Sequence, residues 1–190
     1  MTSISDIGWL AADWPVPSNV RAGTTLRHPG PGRPPYDGFN LGLHVEDDPQ
    51  TVLANRQQLK QALALPAEPC WLEQVHSAIA VEADTAEAVP RADASYTRQP
   101  GTVCVVMTAD CLPVLFCNRQ GTLVAAAHAG WRGLADGVLE TTLQTAGFQP
   151  EETLAWLGPA IGADVYEIGA EVRQAFLSKA VHDASAFVEQ

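Results

Sequence analysis

Between Val103 and Gly133 the chain reads VCVVMTADCLPVLFCNRQGTLVAAAHAGWRG, and this stretch limits the possible folds more than any other. Short apolar runs rich in β-formers and bounded by turn residues are strands, and a short Gly-containing loop between two of them makes a hairpin. That pattern predicts strands over 104–107, 113–117 and 122–127, with a turn at Asn118-Arg119-Gln120-Gly121. A polar break at Thr108-Ala109-Asp110-Cys111 separates the first two, and His128 closes the third before Gly130-Trp131-Arg132-Gly133. A thiol and an imidazole thus fall at the tips of buried strands, where a rigid scaffold holds reactive groups.

The flanks supply further elements. Residues 7–14 and 19–27 are expected as strands, with Trp9 and Trp14 packing, and the Pro/Gly-rich 28–35 as a loop. Its Gly-x-Gly lacks a third glycine and a following helix, so it is no dinucleotide fingerprint. Asp48 and Pro49 start a helix with Val52, Leu53, Leu59 and Leu63 facing inward, Asn55 and Arg56 on a solvated or interface face, and Pro66 as its stop. Residues 71–76 read as a strand ending in His76, with Gln74 and His76 on one face and Glu73 and Val75 on the other; 78–82 is a second short strand. Residues 83–101 read as an irregular acidic connector. Trp131 to Ala146 is expected as one helix, with Leu134, Val138, Leu139, Thr142 and Leu143 inward and Gly147 as its cap. A strand at 153–157 and a last helix from about Gly169 to Ala180, burying Val172, Phe176 and Leu177, complete the pattern.

At 190 residues the chain is expected to be one domain, 1–190. Its net charge of −11 leaves no basic stripe to neutralise phosphates, which disfavours nucleic acid as a partner. The first six residues lack the charged and apolar regions of a signal peptide, and no run of 18 apolar residues suggests a membrane span. Four cysteines without a secretory signal read as reduced thiols, so the expected compartment is the cytoplasm.

Two imidazoles and a thiolate, from His76, His128 and Cys111, are a competent donor set for zinc, and three protein ligands leave one position open. The same thiol beside His128 also suits a Cys–His hydrolase, and a histidine at a strand end is often merely structural. Cys104 and Cys117 lie inside expected strands and read as inert, buried thiols. A blue-copper site would add a weak axial Met, for which Met107 is the nearby residue. His-Glu-x-x-His, the His-x-Glu deaminase signature, Gly-x-Ser-x-Gly and a Walker loop are all absent. With five histidines and no His-x-His pair, the chain has donors for one mononuclear site and none for a multicopper cluster. Past His128, Arg132 and the N–H groups at 130–133 suit a phosphate or carboxylate, or Gly133 serves only close packing.

Phe-Asn-Leu-Gly (39–42), Asn55-Arg56, Glu-Gln-Val-His (73–76), Ala-Asp-Ala (92–94) and Thr-Ala-Asp-Cys-Leu-Pro-Val-Leu (108–115) form an ordered series. His-Ala-Gly-Trp-Arg-Gly (128–133), Leu-Gly-Pro-Ala-Ile-Gly (157–162) and Tyr-Glu-Ile-Gly (166–169) continue it. The series resembles the YfiH-type family, variously described as laccase-domain polyphenol oxidase, purine nucleoside phosphorylase and peptidoglycan editing factor. The resemblance implies an α+β fold (mixed α/β): a layered sandwich of mixed β-sheets flanked by helices, similar to bacterial toxin Cys–His deamidases. It implies that His76, Cys111 and His128 bind a metal, zinc with copper possible, and act in catalysis. Implied activities are phosphorolysis of adenosine, inosine and S-methyl-5′-thioadenosine, adenosine deamination, and copper-dependent phenol oxidation. The expected partners are therefore a purine nucleoside and phosphate, with Asn40, Asp93, Asp110 and Arg132 as substrate contacts. A Cys–His amidase editing peptidoglycan precursors and a non-enzymatic metal-binding domain are the alternatives. The family continues into a further strand–helix segment and an arginine-bearing tail, so a C-terminal segment is expected to be lacking here.

Overall fold

The alanines before His128 become the middle of a sheet. In a computed structural model describing residues 4–27, 32–86, 88–179 and 185–187, eleven helices and strands follow in order. They are β1 (Trp9–Ala11), β2 (Gly23–Thr25), α1 (Pro49–Ala62), β3 (Ala80–Glu82), β4 (Ala94–Thr97), β5 (Leu112–Asn118), β6 (Val124–Ala129), α2 (Trp131–Asp136), α3 (Val138–Ala146), β7 (Thr153–Leu157) and α4 (Ala170–Leu177). One sheet has the order β3-β4-β6-β5-β7, with β3 parallel to β4 and the other pairs antiparallel; β1 and β2 form a separate antiparallel pair. Two sheets flanked by helices give the expected α+β class. No helix of the described residues is long and apolar enough to cross a membrane.

Ala125, Ala126, Ala127 and Ala129 of β6 are all buried, so both faces of this strand are covered. The small side chains of Ala125, Ala127 and Ala129 share one core with Val114, Phe116, Val138 and Phe148, which brings α3 onto the sheet. Val114 and Val138 are essentially inaccessible, and burying each stabilises the fold by about 1.5–3 kcal/mol. A second cluster joins Ile7, Phe39, Leu59, Leu63 and Trp71, with Trp9, Val105 and Met107 against it.

The start of α1 follows the sequence. The Asp48 carboxylate accepts from the N–H groups of Gln50 and Thr51 (both 3.2 Å), and Pro49 occupies the first turn, where its missing N–H is not needed. Its buried stripe differs: Val52 and Leu59 are inside, Leu53 is exposed, and Asn55 is fully buried instead of solvated. Asn55 Nδ2 donates to Asn40 O (2.8 Å) and Arg56 Nε to Leu41 O (2.8 Å), so this face of α1 holds the loop at 39–42.

Four expectations need correction. The connector at 83–101 contains β4, which lies between β3 and β6; Ala-Ser-Tyr-Thr has little apolar alternation, and its neighbours supply the pairing. Residues 104–107 form no strand: only Cys104 makes an isolated bridge, to Cys70. Residues 71–76 are likewise a loop with one bridge, Glu73 to Arg91, and Trp71 and Leu72 are both buried, which breaks the expected alternation. The helix expected over 131–146 is two helices, because Gly137 adopts φ 88° and ends α2 before α3 begins. α4 begins at Ala170, with Gly169 as its N-cap, and buries Val172, while Ala180 lies outside the described residues.

Candidate metal centre

Strand register brings the first pair of groups together. Ala94 of β4 opposes Ala127 of β6, which sets Asp93 beside His128. The His128 N–H donates to Asp93 O at 2.7 Å, and His128 Nδ1 lies 2.8 Å from Asp93 Oδ1. His128 therefore sits inside β6, not after its end, and is buried. With Nδ1 turned to a carboxylate, the ring's free nitrogen is Nε2, the arrangement that orients a metal-ligating imidazole.

The same carboxylate builds the loop carrying His76. Asp93 accepts from the N–H groups of Val75 (3.2 Å), His76 (3.0 Å) and Ser77 (2.6 Å) and from the Ser77 hydroxyl (2.8 Å). Three successive N–H groups converging on one anion hold His76 at φ 60°, a left-handed conformation costing a non-glycine residue about 1–3 kcal/mol. Burial alone would raise the Asp93 pKa, but the bonds from His128, Ser77 and Val75 outweigh it and lower it to about 2. Asp93 is thus engaged by protein groups and fully buried, and through these bonds it orients both histidines.

Cys111 comes from the loop just before β5. Its Sγ lies 4.0 Å from His76 Nε2, and the His76 and His128 rings stand edge-on with centroids 4.8 Å apart. One donor atom from each of His76, Cys111 and His128 lies within 4.8 Å of the others, the only such group of three among the described residues. Tetrahedral zinc with ordinary bond lengths needs S···N separations of about 3.5 Å, against 4.0 Å between Cys111 Sγ and His76 Nε2, so this pair must draw together by about 0.5 Å to share that ion. Gly130, the residue before α2, faces the group: a Cβ there would meet His76 Cδ2 at 2.6 Å and Cys111 Sγ at 3.1 Å.

The electrostatics suit a cation better than a thiolate–imidazolium pair. The His76 pKa is lowered, first by burial and then by His128 and Arg132, against the opposing pull of Asp93. The Cys111 thiol is pushed up by burial and by the charges of Asp110 and Asp93. A metal ion inverts this and deprotonates a coordinating thiol.

The other expected residues divide. Arg132 is exposed, with its guanidinium 4.3 Å from the Trp131 ring centroid and close enough to affect His76. Asp110 is exposed beside Cys111, and its carbonyl accepts from Ile161 N–H at 2.9 Å. The Asn40 side chain is engaged by its own loop, donating to Asp47 Oδ2 (2.9 Å) and accepting from Gly42 N–H (2.9 Å). Met107 Sδ lies 3.8 Å from an Arg56 nitrogen, and Met107 packs against the second apolar cluster. Gly133 packs tightly against Ser77 O, 2.9 Å from where a Cβ would stand.

The family model described as "Multi-copper polyphenol oxidoreductase laccase" matches residues 21–190. The chain belongs to this family. Among YfiH-type relatives, it is 54% identical to "Purine nucleoside phosphorylase PA4543" of Pseudomonas aeruginosa over 95% of this chain and 73% of that protein. It is 53% identical to "Purine nucleoside phosphorylase YfiH" of Escherichia coli over 95% of this chain and 74% of that protein. A crystal structure of the Neisseria meningitidis protein NMB0706 superposes with a TM-score of 0.91 at 48% identity, covering 96% of this chain and 75% of that one. YlmD from Geobacillus stearothermophilus superposes at 0.80 with 33% identity, covering 88% and 68%. The family description names several coppers, whereas the described residues of this YfiH-type chain bring together donors for a single ion.

Proposed function

We propose that this YfiH-type chain is a cytoplasmic purine nucleoside phosphorylase built on a mononuclear zinc centre at His76, Cys111 and His128. Its substrates are adenosine, inosine and S-methyl-5′-thioadenosine. Adenosine deamination accompanies this activity, and phenol oxidation arises where copper replaces zinc. The convergence of three donors within 4.8 Å carries the reading, and the names of relatives more than 50% identical point to the substrate class. A bound zinc supplies Lewis-acid chemistry and a positive charge for an oxygen of the substrate. His76 and His128 hold it as neutral imidazoles, with His128 fixed by Asp93 in the tautomer that leaves Nε2 free. Arg132 holds the phosphate beneath the ribose C1′, and Asp110 hydrogen-bonds sugar or base.

The test is metal analysis of the purified protein, then incubation with adenosine with and without phosphate. Zinc at one ion per chain and phosphate-dependent release of adenine and ribose-1-phosphate are expected. Cys111→Ala should lose more metal affinity than the about 10–100-fold that a lost outer-shell partner costs, and phosphorolysis with it. A Cys111→Ala protein retaining both zinc and phosphorolysis refutes the proposal, as does the absence of purine turnover with every metal.

A further inference from the structure

Two arms of chain lead to the candidate centre: 70–76, ending at His76, and 104–111, ending at Cys111. They begin side by side, where Cys70 bridges Cys104 and the Cys70 N–H donates to Val103 O at 2.9 Å. Farther along, the link is made by a side chain. Gln74 Nε2 donates to Met107 O, and the Met107 N–H donates to Gln74 Oε1, both at 2.7 Å. A primary amide is the side chain that satisfies both groups of one peptide segment: a carboxylate cannot donate to the carbonyl, and a thioether offers the N–H only a weak acceptor. The two bonds also assign the amide orientation, since Met107 N–H must face the oxygen.

We propose that Gln74 is a positioning residue that sets where Cys111 stands against His76, and so makes the sulfur a metal ligand. Gln74 lies two residues before His76, whose loop is pinned by Asp93. Met107 lies four residues before Cys111 and is anchored on its other side: Arg56 reaches its sulfur while stacking on Trp71, 3.7 Å from the ring centroid. The amide therefore joins two fixed points, and the 4.0 Å between Sγ and Nε2 is the free end of that frame. Without it, the 108–111 segment keeps its attachment to β5 but loses its reference to the histidine arm. The inference rests on the metal-centre reading, and it accounts for the Gln of the Glu-Gln-Val-His motif.

The experiment uses the full chain with Gln74→Glu and Gln74→Met, calibrated by Cys111→Ser. Cobalt(II) replaces zinc, and the sulfur-to-cobalt charge-transfer band reports whether Cys111 is bound. In both Gln74 variants the band should fall to the Cys111→Ser level, while the visible bands from histidine ligation persist and affinity drops about 10–100-fold against a chelator. Far-UV circular dichroism and Tm identify a variant that has failed to fold. In metal-free protein, alkylation of Cys111 should be several-fold faster in the Gln74 variants, because the arm is released. Folded variants with a full charge-transfer band and unchanged affinity overturn the role of Gln74. A wild-type protein that binds cobalt without that band refutes sulfur ligation itself; Gln74 is then judged by alkylation, and unchanged rates refute it.

Discussion

The β6 strand and the paired arms at 70–77 and 104–111 meet at the same three donors but are held by different forces. β6 has sheet partners on both sides and buried alanines on both faces, so His128 inherits its place from backbone ladders and apolar packing. The arms have two isolated bridges and no regular strand. Their shape comes from two polar side chains, Asp93 with five protein hydrogen bonds and Gln74 with two. One histidine is placed by the fold and the other two donors by partly buried side-chain hydrogen bonds. Loss of packing should therefore unfold the protein, whereas disturbance at the arms should scatter the donors of a protein that stays folded.

The largest effect is expected in the sheet. Phe116→Ala removes a buried ring packed 6.1 Å from that of Phe148 and should cost about 3–5 kcal/mol in denaturant unfolding, while the molecules still folded bind metal normally. Lost metal affinity at unchanged stability would erase the contrast. Gly130→Ala should do the reverse: its methyl falls on His76 and Cys111, so chelator competition should show affinity at least about tenfold weaker with little change in Tm. Equal affinity would mean that the donors move freely. The smallest effect concerns the exposed N-terminal cap of α1. The Asp48 carboxyl is held below the usual carboxylate range, chiefly by the Thr51 hydroxyl and the Gln50 N–H. Its contribution is complete above the unfolded carboxylate pKa of about 3.9 and is lost as pH falls through the lower folded value. The Tm advantage of wild type over Asp48→Ala should accordingly shrink below pH 4, and an advantage constant from pH 7 to pH 2 would show that the cap charge is irrelevant.

The legible parts share a local cause. Asp48-Pro49 and the apolar runs at 113–117 and 122–127 depend on neighbours in sequence, so the start of α1 and the β5–β6 hairpin are legible, with β6 displaced by two residues to Val124–Ala129. β4 was hidden because Ala-Ser-Tyr-Thr becomes a strand only between two others. The break at Gly137 had a signal, a glycine inside an amphipathic pattern, but the pattern continues through it. Cys104 to Met107 looks like a strand by composition, yet the Gln74 amide occupies Met107's backbone groups where a neighbouring strand would be. The roles of Asp93 and Gln74 had no local signal, since each depends on a partner 33 to 35 residues away.

The order of residues determined the donor chemistry: imidazoles at 76 and 128, a thiol at 111, and too few histidines for several coppers. Tertiary structure alone decided that these donors meet and which groups hold them. A side chain's type is a property of one position, whereas the register of Asp93 on His128 and the span of Gln74 to Met107 exist only once distant segments have been packed together.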